Sequence, residues 1–117
     1  MTTMAVFFYN NSGLHVKVAF GHPDDNCGMN GWRVLGWRFV PRFTRVQLWE
    51  HSAKNKGFVY YAEVPNTNTN WGGTDTSNYI PFSDFNRCWS ETPGPDDRRV
   101  GFKFLTSRED DFEIKIE

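Results

Sequence analysis

Gly31-Trp32-Arg33-Val34-Leu35-Gly36-Trp37-Arg38-Phe39 decides the fold of this 117-residue chain. Two tryptophans, each preceded by glycine, stand five positions apart in a stretch with the composition of a β-strand. On a regular strand such positions face opposite sides. The spacing therefore predicts one ring in the core and the other exposed or at an edge.

Working outward, Leu14, Val16, Val18 and Phe20 alternate with His15, Lys17 and Ala19, the period of a half-buried strand. Asn10-Asn11-Ser12-Gly13 reads as a hairpin turn from a first strand. Pro41-Arg42 is a tight connection into a strand over residues 43–49, and a further strand covers 58–64. Residues 65–78 form a long loop of Asn, Thr, Gly and Asp with Trp71 in its middle. Residues 83–89 read as one helical turn or an extended link, and 100–105 with 112–116 as a closing hairpin. No segment keeps a helical period and no internal repeat appears. The chain reads as one all-β domain over 1–117, a compact antiparallel β-sandwich or flattened barrel of seven or eight short strands.

Composition narrows the function classes. The formal net charge of -1 disfavours a nucleic-acid binder that relies on a positive field, and no stretch approaches the ~20 apolar residues of a membrane span. Residues 1–4 lack a basic segment, and the apolar run 5–9 is too short for a signal core. The expectation is a cytoplasmic chain, or one already processed or excised from a longer protein. In that setting Cys27 and Cys88 are expected as free thiols.

The chemistry-bearing candidates are aromatic and amide. Trp71 lies among Asn68, Asn70, Asp75 and Asn78, a composition suited to a sugar: the ring covers the apolar C–H face, while the polar side chains meet hydroxyls. Trp32 is the second candidate stacking ring. The competing reading of Trp71 is a ring folded back to anchor its own loop. Arg38, Arg42, Arg45 and Trp49 form a candidate interaction face for a protein, or for a second copy of the chain through a sheet edge.

Catalytic signatures are missing. Asp24, Asp25, Asp75, Asp84, Asp96 and Asp97 lack calcium-loop spacing. The three histidines and two cysteines lack zinc spacing. Cys88 has no nucleophile elbow beside it. The sequence thus reads as a non-enzymatic binding module without cofactor or metal, lectin-like through its Trp-bearing loops. The alternative is a protein-interaction or sensory accessory domain.

The order of elements resembles a bacterial family known as domain of unknown function ten thirty-six. The features are Tyr9-Asn10-Asn11-Ser12, Val16-Lys17-Val18-Ala19-Phe20-Gly21, Gly36-Trp37, Tyr60-Tyr61-Ala62-Glu63, Trp71-Gly72-Gly73, the segment up to Cys88, and Gly101-Phe102. The resemblance spans nearly the whole chain. It implies a small β-rich domain and assigns no catalytic residue.

Overall fold

The computed structural model describes residues 4–117. These hold strands β1 (Val6–Asn10), β2 (Val16–Pro23), β3 (Trp32–Val40), β4 (Thr44–Trp49), β5 (Lys56–Glu63), β6 (Asn70–Trp71), β7 (Thr76–Ile80), β8 (Phe85–Cys88), β9 (Arg98–Ser107) and β10 (Phe112–Ile116), with one 3-10 turn at Asp25–Cys27. The fold is all-β. A large sheet runs β7-β9-β5-β2-β3-β8, with β6 hydrogen-bonded to β5, and a smaller sheet runs β10-β1-β4.

The expected strands exist, β6 and the start of β7 form within the expected 65–78 loop, and three connections expected to be local reversals are crossings between sheets. β1 pairs with β4 and, in parallel, with β10, not with β2. The Pro41-Arg42 turn carries the chain from β3 in the large sheet to β4 in the small one. The closing segments also separate, β9 pairing with β5 and β7 while β10 joins β1. One residue organises the first two crossings. Asn10 is fully buried, and its Nδ2 donates to the carbonyls of Leu14 at 2.7 Å, Val40 at 3.1 Å and Pro41 at 3.2 Å. Its Oδ1 accepts from the backbone N–H of Ser12 at 3.0 Å and its hydroxyl at 2.6 Å. A side chain that satisfies three foreign carbonyls replaces the backbone ladder a hairpin would have supplied.

Hydrophobic residues cover both faces of the large sheet. Between the sheets lie Val6 and Phe8 of β1, Val16, Val18 and Phe20 of β2, Phe58, Tyr60 and Ala62 of β5, and Ile114 and Ile116 of β10. Ala19, Val34, Val59, Tyr61, Ile80, Val100 and Phe102 form a second cluster on the other face. Full burial of Phe8, Phe20, Phe58 and Phe102 stabilises by about 1.5–3 kcal/mol per ring. The second face is closed by curling: Asn78 Nδ2 donates to the Trp89 carbonyl at 3.0 Å, Trp37 Nε1 to the Pro81 carbonyl at 3.1 Å, and Arg87 Nη2 to the Tyr79 carbonyl. Strands β7 and β8, at opposite ends of the sheet, are thereby joined side chain to backbone.

Trp32 and Trp37 do not take opposite faces. Both are half-buried against the second cluster. The register of β2 on β3 passes from Val18 opposite Arg38 to Phe20 opposite Leu35, so Ala19 stands against both Gly36 and Trp37. The extra residue of this bulge flips the phase of everything after it. A Cβ on Gly36 would lie 2.6 Å from Cε1 of Phe85, so the bulged position is a glycine.

The cysteines are not free thiols. Cys27 and Cys88 are joined, with Cα atoms 5.4 Å apart across 61 residues of chain. Pairing of β3 with β8, with Arg33 opposite Cys88, brings the two thiols together. A loop of that length is stabilised by about 4 kcal/mol in the chain-entropy account.

Candidate functional site

The outer face of the large sheet carries a cleft of about 210 Å³ lined by Trp32, Val59, Thr76, Trp89 and Phe104. Its walls are three aromatic rings on separate segments. Trp32 opens β3, Phe104 lies on β9, and Trp89 follows β8. The Trp32 and Phe104 rings are 6.1 Å apart between centroids. Trp89 meets Phe102 edge-on at 5.2 Å. Its backbone N–H donates to the Trp32 carbonyl at 2.7 Å, one residue beyond the disulfide, so two walls are fixed to each other.

Two glycines let the rings lie against backbone. A Cβ on Gly57 would fall 2.5 Å from Cζ of Phe104 and 3.5 Å from Cη2 of Trp32. One on Gly21 would fall 2.5 Å from Cγ2 of Val59 and 3.8 Å from Cζ3 of Trp89. Neither contact could be met without moving the cleft lining.

Polar residues of the 65–78 segment brace these walls. Asp75 Oδ2 accepts the Phe104 N–H at 2.9 Å, and Asn78 accepts the Tyr79 N–H at 2.7 Å while donating to the Trp89 carbonyl. Trp37 and Trp71 donate their indole N–H groups to carbonyls of Pro81 and Glu117. Among the described residues the indole N–H groups of Trp32 and Trp89 have no protein acceptor, and neither is buried. The cleft therefore presents apolar ring faces held in place from behind by polar side chains.

The six residues expected to bind are divided. Trp32, Asp75 and Asn78 gather at the aromatic cleft. Trp71 lies elsewhere: it is half-buried against the main core, pairs with Ala62, and donates to the Glu117 carbonyl at 3.2 Å. Asn70 shapes the β5–β6 hairpin, accepting from the Gly72 N–H at 3.1 Å and donating to the Asn68 carbonyl at 3.2 Å. Asn68 lines a second cleft of about 440 Å³ with Lys17, Glu63, Phe82 and Arg98.

In that second cleft the Glu63 carboxylate is buried and accepts from Tyr61 at 2.9 Å and from Arg98, with Lys17 Nζ at 3.5 Å. Burial and then the Glu63 carboxylate push the Tyr61 phenol up to about 12. Arg98 stacks over Phe82 at 4.0 Å and Lys17 over Trp37 at 4.4 Å. Two cations and a phenol occupy the carboxylate, so this cluster ties β2, β5 and β9 together and leaves no oxygen poised as a base.

The expected Arg-aromatic face is also split. Arg45 bonds Glu113 at 3.0 Å and covers Phe7 at 3.6 Å. Trp49 belongs to the core flank, stacked on His22 at 5.0 Å and edge-on to Phe58 at 5.4 Å. Arg38 lies beside Trp49 in a shallow groove, and Arg42 sits at the β3–β4 turn. Sequence reasoning overlooked Trp89, Phe104 and Thr76. Glycines at 21 and 57 inside strand patterns were the available signal, because an interior strand glycine marks close approach.

No group of three or more His, Cys, Asp or Glu able to hold a metal ion exists among the described residues, and none of their helices is long and apolar enough to cross a membrane. Comparisons with known protein families, curated proteins and solved structures find no match to this chain.

Proposed function

We propose that this chain is a non-enzymatic carbohydrate-binding module whose ligand ring lies between Trp32, Trp89 and Phe104. One observation carries the reading: three aromatic rings, braced by Asp75 and Asn78, line one cleft with Thr76 on its wall. A pyranose offers a matching surface, an apolar C–H face rimmed by hydroxyls. A disulfide-bonded chain of this kind works in an oxidising compartment. Membership of the domain of unknown function ten thirty-six family is part of the same proposal, resting on the motif order given above.

Titration with a panel of mono- and oligosaccharides, read by tryptophan fluorescence, tests the proposal. Binding by the parent chain, reduced at least tenfold by Trp32→Ala and by Phe104→Ala but not by Trp71→Ala, supports it. No fluorescence response across the panel, or equal binding by the Trp32→Ala protein, overturns it.

A further inference from the structure

We propose that the end of the molecule formed by residues 12–15 and 39–43 docks on an anionic lipid surface. Three large apolar side chains stand there in water, on or beside turns: Leu14 is 46%, Phe39 56% and Phe43 61% exposed. The two segments are one rigid unit. Asn10 bonds the carbonyls of Leu14, Val40 and Pro41, the Arg42 N–H donates to His15 Nδ1 at 3.1 Å, and the His15 and Phe39 rings lie 5.8 Å apart.

Phe43 carries the strongest sign of a role outside folding. Its φ is 55°, in the left-handed region where a bulky side chain is an outlier. Glycine or asparagine would adopt that conformation more easily, and an aromatic ring so exposed contributes little to the core. An outlier of this kind with no packing benefit points to a partner.

Charge selects the partner. Residues 12–17 and 37–45 contain Lys17, Arg38, Arg42 and Arg45 and no carboxylate, in a chain whose net charge is -1. Of the carboxylates near this end, Glu63 is paired with Lys17 and Arg98, Glu113 with Arg45 and Glu117 with Lys115, while Asp84, which accepts the Trp37 N–H at 3.1 Å, and Glu50 line grooves beside Arg38 on its side away from Phe43 without an ion pair. Among the described residues Arg38 and Arg42 meet no carboxylate within salt-bridge distance. Apolar side chains on turns bordered by unpaired arginines fit a soft, negatively charged interface, where the rings enter the headgroup boundary and the guanidinium groups meet phosphate.

Flotation with vesicles of phosphatidylcholine alone, or with 30% phosphatidylglycerol, tests this. The chain is expected to float with the anionic vesicles at low salt, to bind the neutral ones at least tenfold more weakly, and to be released by 0.5 M salt. Phe43→Asn combined with Leu14→Ser is expected to reduce partitioning at least tenfold without lowering the melting temperature. Trp32→Ala should float like the parent chain, which separates this surface from the sugar cleft. No flotation with anionic vesicles overturns the proposal, as does equal flotation by the double variant. Binding to DNA, or self-association through this end, without flotation also overturns it.

Discussion

Replacing Asn10 by alanine should destabilise the fold by about 3 kcal/mol, because the side chain joins three chain segments through buried polar groups. Its two N–H groups serve the Leu14 carbonyl at 2.7 Å and the Val40 and Pro41 carbonyls at 3.1 and 3.2 Å. Its oxygen serves Ser12 twice. The Leu14 carbonyl also accepts from the Ser12 hydroxyl at 3.2 Å, so truncation leaves it a partner. The Val40 or Pro41 carbonyl and the Ser12 N–H lose theirs. Each buried group left unsatisfied costs roughly 1–3 kcal/mol, which for two such groups gives about 3 kcal/mol after partial relaxation. That is a substantial share of the 5–15 kcal/mol typical of a domain. Urea unfolding of both proteins, disulfide intact, measures it as a lower midpoint at an unchanged m-value. Asn10→Asp should be at least as damaging, since it keeps the oxygen but removes both donors and buries a charge. A loss below about 1 kcal/mol for the alanine variant would show that water or backbone movement replaces these bonds, and would refute the account of Asn10 as organiser of the sheet crossings.

Two further outcomes follow from the same structure. Reduction of Cys27–Cys88, or the double Cys→Ser variant, should lower stability by up to about 4 kcal/mol; an unchanged urea midpoint would contradict this. Burial holds the His22 imidazole below its ordinary 6.5, so the unfolded chain takes up this proton first as pH falls. The stability contribution is intact above 6.5 and declines below it toward the lower folded value. Melting temperature should therefore fall more steeply between pH 7 and 5 for the parent than for His22→Gln, and parallel curves would count against it.

The strands themselves were legible because their alternation is a local property of the sequence: Val16 to Phe20 reads as a strand from its own side chains, although Ala19, expected on the open face, is buried in the second cluster. Partners were not, because a turn sequence such as Asn10–Gly13 specifies a change of direction and not which strand receives the chain. The small sheet's parallel β1–β10 pair joins segments more than 100 residues apart, beyond any local signal. Trp32 and Trp37 were misplaced by one inserted residue, since a bulge inverts faces without changing composition. Of the residues expected to bind, Trp32 lines the aromatic cleft, whereas Asp75 and Asn78 bond the backbone of its walls. Trp89 and Phe104 were not legible, because the pairings that bring them there, β8 on β3 and β9 on β5, join segments tens of residues apart and leave no local pattern. Cys27 and Cys88 were separated in the reading by 61 residues and united by one strand pairing.

The parallel pairing of β1 with β10 also fixes how the molecule bears tension. Val6 lies opposite Phe112 and Asn10 opposite Ile116, so the first and last strands begin at one pole and run toward the other. Pulling the two ends of the chain apart would slide these strands lengthwise past one another. Their hydrogen bonds would then share the load simultaneously and could not peel one by one. Traction along this axis loads a ladder in shear, whereas the β7–β8 seam is held by side-chain bonds to backbone and has no ladder to share a sideways load.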